Sequence, residues 1–128
     1  MLRQYLKSKI HRAVITQADI EYEGSIELPG NLMDEVDLVE GEKVLVASVT
    51  SGNRLETYAQ RGADGTDFII NGGAAHRIKK GERVTIMAWG LSEGPVVARR
   101  IVMNEKNEVV ARSGPENPRE RVPYGESQ

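Results

Sequence analysis

The segment Glu40-Gly41-Glu42-Lys43-Val44-Leu45-Val46 returns forty residues later as Lys80-Gly81-Glu82-Arg83-Val84-Thr85-Ile86. Each copy follows residues that predict a short helix, and each opens an apolar stretch suited to a strand. Two copies are too few for a solenoid, whose units need neighbours on both sides. They suit a barrel of two similar halves about a pseudo-two-fold axis. The plainer alternative is that glycine, glutamate, a basic residue and valine are simply a common strand opening.

The rest of the chain reads as short strands divided by turns. Residues 1–17 carry Leu2, Leu6, Ile10, Val14 and Ile15 without a sustained helical period, which predicts two short strands. On a strand Lys9 and His11 share a face, with Ile10 on the other. Residues 20–28 predict a strand interrupted at Gly24-Ser25 and ended by Pro29-Gly30. Leu32, Val36 and Val39 then recur at helical spacing, with Asn31 as N-cap and Gly41 beyond the end. Residues 43–49 and 54–60 form a hairpin about Thr50-Ser51-Gly52-Asn53. Period two puts Arg54, Glu56 and Tyr58 on one face of its second strand and Leu55, Thr57 and Ala59 on the other. A short strand at 68–71 leads into Gly72-Gly73-Ala74-Ala75, a small-residue turn opening one helical turn. Strands at 83–89, 96–103 and 108–112 follow. The fold class is mostly β, with short helices. Residues 113–128, with Pro115, Pro118 and Pro123 and almost nothing to bury, are expected to be a disordered tail, leaving one domain over 1–112.

Composition closes off several functions. A 128-residue chain with 39% hydrophobic residues suits a single core. Its net charge of −2 gives no field for drawing in nucleic acid, and 5% aromatic residues leave few platforms for stacking bases. Without cysteine there is no disulfide framework, no thiolate nucleophile and no Cys-based zinc site, and no metal is expected. No stretch approaches the roughly 20 apolar residues of a membrane span, and no signal-like run is present, so a soluble cytoplasmic protein is expected.

Chemistry is offered at Tyr22-Glu23-Gly24-Ser25-Ile26. Gly24 lacks a Cβ, so the Ser25 hydroxyl can approach the Gly24 carbonyl at little steric cost. That is the arrangement for an N-to-O acyl shift. Elimination of the resulting ester and hydrolysis would break the chain there and leave a pyruvoyl group in place of Ser25. The competing reading is an ordinary Gly-Ser turn.

Five separated blocks bear on the choice: Lys9-Ile10-His11-Arg12, Thr16-Gln17-Ala18-Asp19, Tyr22-Glu23-Gly24-Ser25, Arg54 with Thr57-Tyr58-Ala59, and Asn71-Gly72-Gly73-Ala74-Ala75-His76. In order and approximate spacing they resemble the aspartate 1-decarboxylase family, from Met1 to about Ala111. The resemblance implies a double-psi β-barrel that cleaves itself between 24 and 25 into a β chain, 1–24, and an α chain, 25–128. It implies pyruvoyl-dependent decarboxylation of L-aspartate to β-alanine, a pantothenate precursor, in a homotetramer with sites between subunits. Neither serine nor histidine can hold the electron pair of a decarboxylation, which is why such enzymes use pyruvoyl or pyridoxal phosphate, and no pyridoxal pattern is present.

By the same resemblance, the pyruvoyl from Ser25 forms a Schiff base with the substrate amine and Tyr58 is the proton donor. A tyrosine phenol is protonated at neutral pH, as a general acid must be. Thr57 resembles the residue that steadies the Gly24 carbonyl during self-cleavage. Arg54 resembles the carboxylate grip, its planar fork giving two hydrogen bonds where lysine gives a point charge. Lys9 adds a second positive charge, and Asn71, Gly72, Gly73 and Ala74 resemble the turn beside the pyruvoyl. His11 and Tyr22 are further candidates. Since the family uses Arg54, Thr57 and Tyr58 at one site, a bulge or strand end is expected near them. The chain departs from the family in the short run Ala59-Gln60-Arg61-Gly62 and in Gly73, where alanine is common. The resemblance leaves a maturation factor open. The alternative to an enzyme is a protein-binding adaptor with the same barrel, in which Ser25, Tyr58 and Arg54 have no task.

Overall fold

In a computed structural model that describes residues 1–115, the two copies of the repeated segment open neighbouring antiparallel strands, β4 (Lys43–Ser48) and β7 (Arg83–Ser92). Val46 pairs with Ile86, flanked by Leu45 with Met87 and Ala47 with Thr85. Exchanging positions forty apart turns each flanking pair into the other, so a local two-fold axis passes through Val46 and Ile86. The turns obey it as well. Gly41 and Gly81 have φ of 85° and 94°, and the Glu42 and Glu82 carboxylates accept from the Val39 and Lys79 amides at 3.1 and 2.8 Å. The Gly41 N–H donates to the Ala59 carbonyl at 2.8 Å, and the Ala59 N–H to the Glu42 carbonyl at 2.8 Å. Gly81, Ile15 and Glu82 repeat that clasp at 2.7 and 2.9 Å. A strand opening alike only by chance would not reproduce such bonds.

The remaining strands are β1 (Arg3–Val14), β2 (Gln17–Asp19), β3 (Ser25–Pro29), β5 (Arg54–Gly62), β6 (Ile69–Asn71), β8 (Arg99–Met103) and β9 (Val109–Ser113). They join in the order β2-β6-β3-β5-β4-β7-β1-β8-β9. Outward from the β4/β7 pair, both directions run antiparallel, parallel, antiparallel, through β5, β3 and β6 on one side and β1, β8 and β9 on the other. The result is the expected mostly-β barrel of two related halves. Alternation sends Ile10, Ile26, Val44, Val46, Val84 and Ile86 inward, all fully buried with Phe68, Met33 and Leu38. Among the described residues no helix is long and apolar enough to cross a membrane.

Several expectations need correction. Most of residues 1–17 form one twelve-residue strand, β1, not two short ones. Its register shifts between Leu6 and Ser8 and between Ile10 and Ala13, with Arg12 at φ 68°. Such bulges let one strand bend round the barrel, and they blur its period. Residues 20–24 form a turn, and β3 starts only at Ser25. Helix α1 (Gly30–Glu35) begins after Pro29 and ends before Val36. Asn31 is therefore inside it, with Oδ1 accepting from the Gly65 amide at 3.2 Å. A helix this short is not stable alone; buried Leu32 and Met33 hold it. Residues 96–98 precede β8. The small-residue turn does open a helical turn, the 3₁₀ helix Gly72–His76. Ser113, placed in the tail, pairs with Arg100 at the end of β9. The tail expectation otherwise lies outside the described residues, apart from Gly114 and Pro115.

Candidate active site

Because β3 alternates, Ile26 and Leu28 enter the core while Ser25 and Glu27 face the other way. Ser25 pairs with Asn71 across β3 and β6 and is 1% exposed. Its hydroxyl donates to Gln60 Oε1 at 2.9 Å and accepts from Asn71 Nδ2 at 3.2 Å. Asn71 stands at the N-cap position of the 3₁₀ helix but makes no capping bond with its side chain. Beside Ser25 lies an open cleft lined by Gln17, Tyr22, Glu23, Glu27, Glu40, Tyr58, Gln60, Ile69 and Asn71. Among the described residues three carboxylates and no lysine or arginine line it, so the cleft favours cations over anions.

Apart from its chain neighbours, Gly24 has open space where a side chain would be. Its φ is not positive, and an added Cβ would meet nothing within 4 Å. The glycine that packing demands is Gly72, at φ 73°. A Cβ there would lie 2.6 Å from the Gly24 Cα and N and 2.9 Å from the Tyr22 carbonyl oxygen. The start of the 3₁₀ helix thus presses directly on residues 22–24. Gly73 has no positive φ, and a Cβ on it would meet nothing within 4 Å, so this position could be alanine. Ala74 serves the helix, its carbonyl accepting from the Arg77 and Ile78 amides at 3.0 and 3.1 Å.

Lys9, His11 and Arg54 lie elsewhere, on the outer face of β1, β7, β4 and β5. Arg54 pairs with Ala47 and Ala47 with Thr85, whose hydroxyl meets His11 Nδ1 at 2.9 Å. Lys9 pairs with Met87, Met87 with Leu45, and Leu45 with Glu56. Cross-strand partners share a face, so these are adjacent rows of one surface. Burial first, then the charges of Lys9, Arg12 and Arg83, pull the His11 pKa below its ordinary value. That lowering favours the neutral ring at neutral pH.

Period two along β5 continues through Tyr58, and the register with β4 is regular from Lys43–Tyr58 to Ala47–Arg54. The expected bulge is absent from that pairing. What changes there is the partner: β5 leaves β4 after Tyr58 and runs beside β3 from Ala59. Tyr58 is therefore on the Arg54 face and also in the Ser25 cleft, the one residue common to both groups. The Thr57 side chain is on the opposite face, half-buried. Tyr22, 65% exposed, lines the cleft. Gln60 was missed by sequence reasoning, although period two carried past Tyr58 points to it. Among the described residues no group of three or more His, Asp or Glu side chains could hold a metal.

A family model described as aspartate decarboxylase matches residues 1–110. The chain is 48% identical over 111 residues to an aspartate 1-decarboxylase of Thermotoga sp. (strain RQ2), covering 86% of this chain and 97% of that protein. It is 49% identical over 111 residues to the protein of that name from Thermotoga petrophila, with the same coverage, and 44% identical over 115 residues to that of Pseudothermotoga lettingae, covering 85% and 97%. A barrel of two related halves, a buried serine following Gly24 beside a cleft and matches spanning nearly the whole barrel together place the chain in the aspartate decarboxylase family.

Proposed function

We propose that the chain decarboxylates L-aspartate to β-alanine and carbon dioxide, in the cytoplasm and as supply for pantothenate, using a pyruvoyl group that it makes from Ser25. The observation that carries this is the buried Ser25 hydroxyl, held by a donor and an acceptor immediately after Gly24 at a cleft. A surface Gly-Ser turn would need neither. In self-cleavage, Oγ bonds to the Gly24 carbonyl carbon, the C–N bond breaks, and the hydroxyl proton ends on the freed nitrogen. Loss of the Ser25 Cα proton and the Cβ–O bond then frees chain 1–24 as a carboxylate. Water enters and ammonia leaves to complete the new end of chain 25–128. Thr57 steadies the Gly24 carbonyl in the first step.

A pyruvoyl group supplies the carbonyl that takes up the electron pair released with carbon dioxide. This chain's residues do the rest. Tyr58, reaching the cleft from β5, returns the proton, and Asn71 with the 72–74 turn borders the reacting end. The substrate brings two carboxylates to a cleft whose lining is acidic, so its positive partners must come from outside that lining. Lys9 and Arg54 are the cations the sequence singles out, and both are on the outer sheet face. A second copy laying that face over the Ser25 cleft would complete the site, which supports sites between subunits, in the homotetramer that the family resemblance implies. Co-expressing Ser25→Ala with Arg54→Ala tests this. Mixed assemblies should regain activity that neither variant has alone, each complete site drawing Ser25 from one chain and Arg54 from another. Mixed assemblies as inactive as the parents would contradict it.

A further inference from the structure

Of the two side chains hydrogen-bonded to the Ser25 hydroxyl among the described residues, Gln60 has no task in the chemistry above. It lies two residues past Tyr58 on the same face of β5. A hydroxyl has one proton and two lone pairs. The Ser25 proton points to Gln60 Oε1 at 2.9 Å, and one lone pair is occupied by Asn71 Nδ2 at 3.2 Å. With Ser25 1% exposed, these two side chains, from β5 and β6, fix a rotor that would otherwise turn freely. A single lone pair is left to act as nucleophile.

We propose, on the reading that Gly24–Ser25 is the bond cleaved, that Gln60 sets the rate of maturation by accepting the hydroxyl's hydrogen bond and so aiming that last lone pair. As the Oγ–C bond forms, the proton must leave. An amide oxygen holds it in place but is too weak a base to remove it, so it is given up only as the C–N bond breaks, to the nitrogen that is released. A carboxylate at position 60 would both hold and remove it.

The test follows conversion of newly made chain into 1–24 and 25–128 by gel or intact mass. Gln60→Leu, similar in size but without an acceptor, should slow cleavage roughly 3- to 10-fold, the worth of one hydrogen bond. Gln60→Glu should cleave at least as fast as the wild type at neutral pH and slow as its carboxylate is protonated, a dependence steeper than the wild type's. Gln60→Leu cleaving at the wild-type rate would overturn the proposal. So would Gln60→Glu slowed at every pH, which is the behaviour of a residue that merely fills space. Should Gln60→Leu fail to fold, the Gln60→Glu profile decides alone. A wild type that stays whole, or a Ser25→Ala chain that cleaves, would instead refute the underlying reading.

Discussion

Replacing Gly72 by alanine introduces one methyl group where two backbone atoms of Gly24 already lie 2.6 Å away. Ordinary carbon contacts sit near 3.5–4 Å, so the overlap is about 1 Å. Holding a non-glycine residue at φ 73° costs about 1–2 kcal/mol, and overpacking a filled space typically adds about 1–3. The clashing atoms are main chain, so no rotamer change relieves them. At roughly 4 °C per kcal/mol for a domain of this size, a total of about 2–5 kcal/mol lowers Tm by about 8–20 °C if the whole fold bears it. Residues 20–24 are in a turn, however, and moving them relieves the clash at smaller cost while shifting the scissile bond away from its neighbours. Gly72→Ala should therefore lose cleavage in all cases, with a Tm loss at or below that range. Melting should be followed in a Ser25→Ala background, so that one uncleaved species is compared throughout, and cleavage in the native background. Gly73→Ala is the control, with an expected change within about 0.5 kcal/mol. A Gly72→Ala chain that melts and cleaves like the wild type, or a Gly73→Ala chain equally damaged, would refute the reasoning.

Arg54→Ala should mature normally but lose on the order of 10²- to 10⁴-fold in kcat/KM for L-aspartate, the worth of two charge-assisted hydrogen bonds. Full turnover would remove it from the site. Thr57→Val should give a folded, largely uncleaved chain, and a cleaved band appearing at the wild-type rate would end that assignment. Burial alone would raise the Glu82 pKa, but hydrogen bonds from Ser48, the Lys79 amide and Ser51 outweigh it and hold the carboxyl below its usual 4.5. Its stabilisation is complete above that value and is lost as pH falls through the lower folded one, so Glu82→Gln should flatten the acid limb of a stability–pH curve. His11, also lowered, binds fewer protons folded than unfolded just below its ordinary 6.5. Stability there rises with pH, and His11→Gln should remove that slope.

The repeated glycine turn was legible because it depends on local residues: Gly41 and Gly81 take positive φ, and Glu42 and Glu82 close the same backbone bonds. The bulges of β1 were not, since they are set by the pairing of Leu6, Ser8, Ile10 and Ala13 with β7. For helix α1, the spacing of Leu32, Val36 and Val39 suggested more turns than form. Val36 is buried outside the helix, and Val39 is 48% exposed. Period two on β5 separates Thr57 from Arg54 and Tyr58, and the structure keeps it, whereas the family likeness, which puts all three at one site, pointed to a bulge or strand end. The neighbouring rows that carry Lys9 and Arg54 are set by pairing between β1, β7, β4 and β5, which leaves no periodic trace in the sequence of any one strand. Gln60 escaped notice because a polar strand residue looks ordinary until its partner, Ser25, is seen.

The intact mass of the purified protein bears most directly on the central claim that a serine hydroxyl opens its own chain. Two polypeptides, 1–24 and 25–128, are expected, the second lighter by one ammonia than a chain beginning with serine. A preparation holding only the unbroken 128 residues, yet releasing carbon dioxide from L-aspartate, would contradict it.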